Sequence, residues 1–152
     1  MELPEAKLIE SEIVLREMHL TDDVAMTRKS LVRWLALALG IVSPRESRLS
    51  VLTILEAILY YHLKEKRGAS YEDLVDYFKQ QGVEMNEKTV RYHITQLRKA
   101  GVLEDDRGIY RFVNFHGEDL TEALEQSHRQ RVNAAFYNIK QAIDTLKKMY
   151  EQ

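Results

Sequence analysis

Cysteine is absent from the 152 residues, which excludes disulfide staples and thiolate metal sites and fits a reducing compartment. No basic stretch followed by an apolar one opens the chain, so no signal peptide is expected. The longest apolar run, Trp34–Val42 (WLALALGIV), is about half of the ~20 residues that a membrane span needs. A cytoplasmic protein with no membrane partner is the expectation. Neither G-x-G-x-x-G nor G-x-x-x-x-G-K occurs, so no Gly-rich loop is written to cradle a phosphate. No G-x-S-x-G elbow offers a nucleophile. His19, His62, His93, His116 and His128 form no H-x-x-x-H pair and have no carboxylate at ligand spacing. The adjacent acids Asp105 and Asp106 are ordinary turn residues. These absences argue against an enzyme and lead us to expect no metal and no cofactor. There is no internal repeat and no low-complexity tract.

What is present is the composition of a folded protein, 45% hydrophobic and 30% charged, in a chain long enough to bury a real core. The net charge of −2 is unevenly spread. Met1–Asp23 carries two basic and seven acidic residues, Val24–Arg48 five basic and one acidic, and Asn86–His116 six basic and four acidic. A surface that grips phosphates needs only local positive potential, so the global value decides nothing.

Ser43-Pro44-Arg45-Glu46 has the form of a capping box with proline at the first helical position, predicting a helix over about 44–66. Leu52, Leu55, Ile58 and Leu59 spread around its girth and mark it as the buried centre. Ser70-Tyr71-Glu72-Asp73 is a shorter version opening a helix to Gln81, with Leu74, Val75 and Phe78 inward. Gly40, Gly68, Gly82 and Gly101 each follow a periodic apolar stretch and mark helix ends. A helix over 22–39 carries Leu31, Trp34, Leu35 and Ala38 on one face. Pro4–Met18 permits either helix or strand.

Asn86–Leu103 reads NEKTVRYHITQLRKAGVL. Asn86 suits an N-cap, and Val90, Ile94 and Leu97 recur at helical spacing as a core face. The opposite face presents Lys88, Arg91, Tyr92, Thr95, Gln96 and Lys99, with Thr89 beside them; His93 falls between the faces as a half-buried packing residue. After Gly101 the period changes, and Val102-Leu103, EDDRG and Ile109–Val113 read as a hairpin turning near 106–108. A face of this kind is most often simply solvated. The order of helix, helix, tight turn, helix and hairpin gives it another use.

Over about residues 44–115 the pattern resembles winged helix-turn-helix transcriptional regulators, broadly the ArsR- and MarR-like group. The resemblance is carried by TVRYHITQLRKAGVLEDDRGIYRF, with Ser70–Gln81 as the preceding helix and Gly82–Asn86 as the turn. It implies a winged helix-turn-helix with a small β-hairpin wing; the flanking helices match no family, and with them the expected fold is mainly α, with N-terminal helices and a long C-terminal helix. It also implies double-stranded DNA as partner, with the helix at about 87–100 in the major groove. Arg and Gln can pair with guanine and adenine edges, and Thr can touch a thymine methyl. Arg91, Tyr92, Thr95 and Gln96 would then read bases, while Lys88, Lys99 and the wing residue Arg107 hold the backbone; Thr89 is also expected among the DNA-binding residues. The wing departs from a basic pattern, since Glu104, Asp105 and Asp106 stand beside Arg107. A second basic cluster, Arg28, Lys29 and Arg33, reads as a solubilising face or as a contact to flanking phosphates.

A final helix over 118–150 places Val132, Phe136, Ile139, Ile143, Leu146 and Tyr150 at alternating steps of four and three, bordered by Ala135, Ala142 and Met149. Such a seam suits a coiled coil. It is expected to pack on the N-terminal helices or to make a homodimer, the arrangement that a palindromic site rewards. The expected division is an N-terminal extension over 1–43, a winged-helix domain over 44–116 and a dimerisation helix over 117–152. The alternative function is a protein–protein interaction module of a transcription or replication assembly, favoured by the near-neutral charge, the acidic wing and the acidic N-terminus.

Overall fold

A computed structural model describes residues 1–47, 49–115 and 119–152. The chain is mainly helical, with one small antiparallel sheet. Its elements are α1 (Asp22–Ala25), α2 (Arg28–Ala38), α3 (Ser50–Leu63), β1 (Ala69–Ser70), α4 (Tyr71–Gln80), α5 (Glu87–Lys99), β2 (Leu103–Asp106), β3 (Ile109–Phe112) and α6 (Leu120–Tyr150).

α3 is the centre of the fold, as its apolar girth predicts. It packs against α2, α4, α5, β1 and β3, and it buries Ile54, Leu55, Ala57 and Ile58 to 1% exposure or less. One core cluster joins these to Val32 and Ala36 of α2, Leu74 and Phe78 of α4, Val90, Ile94 and Leu97 of α5, and Phe112 of β3.

The helix boundaries depart from expectation at three places. α3 begins at Ser50, not at Pro44: Ser43-Pro44-Arg45-Glu46 closes a turn in which the Glu46 amide donates to the Ser43 carbonyl at 3.1 Å. Proline at the second position serves a tight turn as well as a helix start. The long helix expected over 22–39 is two helices. Thr27 is extended between them, and its hydroxyl accepts from the Ser30 amide at 3.1 Å, the local bond by which Thr competes with helix continuation. The inward residues of α2 are Val32, Ala36 and Ala38, with Leu31, Trp34 and Leu35 half-buried. In α4, Tyr77 is buried where Val75 was expected. Pro4–Met18 holds one short 3-10 helix, Pro4–Leu8, and then runs without regular structure to Thr21.

That N-terminal segment is tied down by polar bonds. The Arg16 guanidinium donates to the carbonyls of Leu37 at 2.6 Å and Val42 at 2.9 Å, and the Arg16 amide donates to Ala38 at 2.8 Å. The bonds to Leu37 and Ala38 serve the end of α2, where carbonyls lack intrahelical partners, and the bond to Val42 ties the segment to the turn that follows. The Trp34 indole donates to the His19 carbonyl at 2.8 Å.

The Ser70–Asp73 box forms in full, with the Ser70 hydroxyl accepting from the Asp73 amide and the Asp73 carboxylate from the Ser70 amide. The Arg67 guanidinium, 2.6 Å away, holds the Asp73 carboxyl below its ordinary range. β1 was not anticipated. It pairs with β3 (Ala69 opposite Tyr110), giving the strand order β1-β3-β2. Gly68 permits this approach: a Cβ there would stand 2.6 Å from the Ile109 side chain. β2 and β3 form the expected hairpin, Leu103 opposite Phe112 and Asp106 opposite Ile109. Arg107 (φ 56) and Gly108 (φ 86) make its two-residue turn, the pair of positive φ values that suits strand twist.

Candidate functional site

α5 is built as its sequence predicts. Asn86 caps it by accepting from the Thr89 amide at 2.8 Å. Val90, Ile94 and Leu97 are buried beneath it, and His93, 9% exposed, packs beside them at the edge of the core. The step from α4 to α5 is short. Gly82 takes φ 69, and the Val83 amide returns to the Phe78 carbonyl at 2.9 Å.

Lys88, Arg91, Tyr92, Thr95, Gln96 and Lys99 all lie exposed on one face, with Thr89 partly buried at its edge. Arg98, absent from the expected set, is exposed with them; its place seven residues after Arg91, on the same flank, is the signal that marks it. Glu87 and Arg91 pair at 2.8 Å on the exposed first turn, and the Glu87 carboxylate holds the guanidinium above its ordinary pKa. The Arg91 guanidinium lies 5.6 Å from the centre of the Tyr71 ring. The Thr95 hydroxyl donates back to the Arg91 carbonyl at 2.9 Å, which leaves its methyl and the acceptor side of its oxygen for an outside contact.

A hollow lies along each flank of this face. One, of about 750 Å³, runs between α5 and the chain before α3, where Lys88, Tyr92 and Gln96 meet Ile41, Glu46 and Ser50. The other, of about 500 Å³, sets Thr95, Arg98 and Lys99 against Glu104 and Asp105 of the hairpin. Between α3 and α5 the Ser50 hydroxyl and His93 Nε2 are 2.6 Å apart. Burial pushes the imidazole below its ordinary pKa, against the opposing effect of the Glu46 carboxylate.

The acids of the hairpin are less free than the sequence suggested. Arg111 of β3 pairs with Glu104 at 2.7 Å and Asp106 at 3.4 Å, and Asp105 accepts from the Gly108 amide at 2.8 Å. Register alone places Arg111 opposite Glu104, so a correct hairpin alignment would have revealed the pair. Arg107 is exposed at the tip. Arg28, Lys29 and Arg33 are exposed on α2, and Arg28 borders an apolar hollow of about 410 Å³ lined by Leu31, Leu35, Leu59 and Leu63.

The end of α5 is held from α6 by residues that no sequence signal singled out. The Ser127 hydroxyl donates to the Gly101 carbonyl at 2.7 Å. Arg131 donates to the Ala100 carbonyl at 2.7 Å and to the Glu12 carbonyl at 3.0 Å. One guanidinium thus joins the end of α5, α6 and the N-terminal segment. Beyond this point α6 stands clear of the other described residues. From Val132 to Tyr150 every side chain is exposed except Asp144, which is half-buried. The apolar row therefore does not pack on the N-terminal helices, one of its two expected covers. The expected start of the helix at Glu118 lies outside the described residues, as does His116.

Comparison with family models, curated proteins and solved structures gives no match for this chain. Among the described residues, no helix is long and apolar enough to cross a membrane.

Proposed function

We propose that the chain is a winged helix-turn-helix protein that binds double-stranded DNA as a homodimer and regulates transcription, with α5 in the major groove. The observation that carries this reading is the exposed face of α5. Four cations (Lys88, Arg91, Arg98 and Lys99), an amide and an aromatic ring stand together there, with Glu87 as the one acid of the helix. The face follows a tight turn from α4 and precedes a two-stranded hairpin. An α-helix fits the major groove, where base edges carry a distinct donor and acceptor pattern.

In this arrangement Arg91, Tyr92, Thr95 and Gln96 face base edges, Lys88, Arg98 and Lys99 neutralise phosphates, and the Thr89 hydroxyl donates to one. The wing, β2 and β3, brings Arg107 to the backbone, while Arg111 offsets the charge of Glu104 and Asp106. Glu87 restrains Arg91 in the free protein. An exposed pair of this kind is weak, so the guanidinium can exchange it for a guanine.

Selection of random duplex DNA by the purified protein at near-physiological salt tests the proposal. Enrichment of a palindrome with half-sites about one helical turn (~34 Å) apart supports it. Absence of enrichment, with bulk binding that shows no steep loss as salt rises, refutes it, because several phosphate contacts impose such a loss. That outcome transfers the protein to the docking-module class.

A further inference from the structure

We propose that the projecting part of α6 pairs in parallel with α6 of a second copy, Val132–Tyr150 forming a two-stranded coiled coil. The inference rests on the homodimeric reading above and adds the direction of the pair.

The need for a partner comes from exposed area. Phe136 is 61% exposed, Ile143 52% and Tyr150 85%, although all lie on one stripe. At the ~150–250 Å² that large side chains carry, the stripe presents about 700 Å² per copy, close to the ~800 Å² per partner of a standard stable interface. A second copy offers the same stripe at the same spacing, as a two-fold interface requires.

The direction comes from the flanks. With Phe136, Ile143 and Tyr150 at heptad position a, and Val132, Ile139 and Leu146 at d, one flank (position e) carries Asn133, Lys140 and Lys147. The other (position g) carries Ala135, Ala142 and Met149. In a parallel pair each e flank faces the g flank of the other helix. The aliphatic stems of Lys140 and Lys147 then cover Ala135 and Ala142 of the second copy, with their ammonium groups in water. Asp144 already draws the Lys140 ammonium to the outer side at 2.7 Å. In an antiparallel pair centred near residue 141 e faces e, setting Lys140 of the two copies against one another and Lys147 against Asn133, and the like charges of the Lys140 pair repel. Ile143 at a with Leu146 at d is also the combination that parallel dimers favour.

The attachment of α6 gives the same answer. Ser127 and Arg131 bind its first half to the end of α5, so the direction of the coil sets where the two α5 helices stand. An antiparallel pair centred near residue 141 separates the two Ser127 anchors by about 42 Å along the axis at 1.5 Å per residue. That is more than one turn of duplex and well short of two. A parallel pair holds both bodies at the same end. A body of about 130 residues is roughly 35 Å across, which puts their centres close to one turn apart.

The chain has no cysteine, so single introduced thiols report the direction without background. Sedimentation of the unaltered protein is measured alongside, and Leu146→Cys is oxidised under mild conditions. In the parallel pair the two Cα atoms at this d position fall within the ~4.4–6.8 Å that a disulfide bridges. In the antiparallel pair they are about 15 Å apart along the axis. We expect a dimer and a disulfide in most of the Leu146→Cys protein. A Gly-Gly-Cys extension after Gln152, which leaves every seam side chain in place, should cross-link equally. A dimer in which neither thiol cross-links, while mixed Phe136→Cys and Leu146→Cys proteins do, overturns the parallel direction and leaves the homodimer standing. A monomer at 100-fold above micromolar concentration overturns both, and leaves DNA reading by α5 to the duplex selection.

Discussion

Replacing Arg131 tests whether α6, α5 and the N-terminal segment are held as one piece. Its guanidinium makes three contacts of unequal worth. The bond to the Ala100 carbonyl is 2.7 Å and part-buried, at the end of α5 where carbonyls lack helical partners. A hydrogen bond from a charged donor contributes ~1.5–3 kcal/mol. The bond to the Glu12 carbonyl is 3.0 Å and exposed, so water replaces it at a cost of about 0.5 kcal/mol. The contact to the Ser11 hydroxyl, at 3.4 Å, is too long to count. Arg131→Ala should therefore destabilise by about 2 kcal/mol, discounted for water reaching the freed carbonyl. In a chain of this length that is a fall in Tm of about 4–8 °C. Arg131→Lys, which keeps a single donor arm, should lose about half as much. Thermal unfolding followed by circular dichroism reads the first effect. Hydrogen exchange over residues 11–16 reads the second, because Arg131 is where that segment meets α6. An alanine variant within about 1 °C of the parent, with unchanged exchange, would refute the claim that this guanidinium joins the three elements.

Arg91→Ala should weaken binding of the selected duplex about tenfold to a hundredfold and relax specificity at one base-pair position. Lys99→Ala should weaken all sequences alike and lower the salt slope by about one; competition titrations with single base-pair variants separate the two, and equal loss on every sequence for Arg91→Ala would remove its base-reading role. Burial lowers the pKa of both His62 and His93, so the unfolded chain takes up these protons first as pH falls. Their contribution is fully present above the ordinary histidine value of about 6.5 and is lost progressively below it; urea midpoints between pH 8 and pH 5 should fall on the acid side, and His93→Gln should reduce that fall. Gly68→Ala should cost about 1–3 kcal/mol by overpacking, since the new Cβ would meet Ile109 at 2.6 Å and the Tyr110 carbonyl oxygen at 2.9 Å; an unchanged Tm would show that β1 is not held against β3 as described.

Much of this was legible in the sequence because it depends on near neighbours. The inward row of α5, its Asn86 cap, the central place of α3 and the hairpin turn at Arg107-Gly108 all follow from spacing and turn chemistry within a dozen residues. So does the apolar stripe of α6. Where local signals compete, tertiary packing chose. Ser43-Pro44-Arg45-Glu46 is compatible with a helix start and with a tight turn, and the chain turns there. Thr27 could sit inside a helix or cap one, and it caps α2.

Other features had no local signal at all. Arg131 reaches carbonyls 31 and 119 residues away in sequence, Arg16 reaches the end of α2, and Ser50 meets His93 across 43 residues. No periodicity encodes such pairs, because a long side chain finds its acceptor only once the elements are packed. The pairing of β1 with β3 is of the same kind: two residues cannot announce a strand, and the sheet that accepts them is assembled from distant segments. The face that α5 presents was therefore determined by sequence alone. Its attachment at either end, which sets the direction in which that face points, was decided by the tertiary structure.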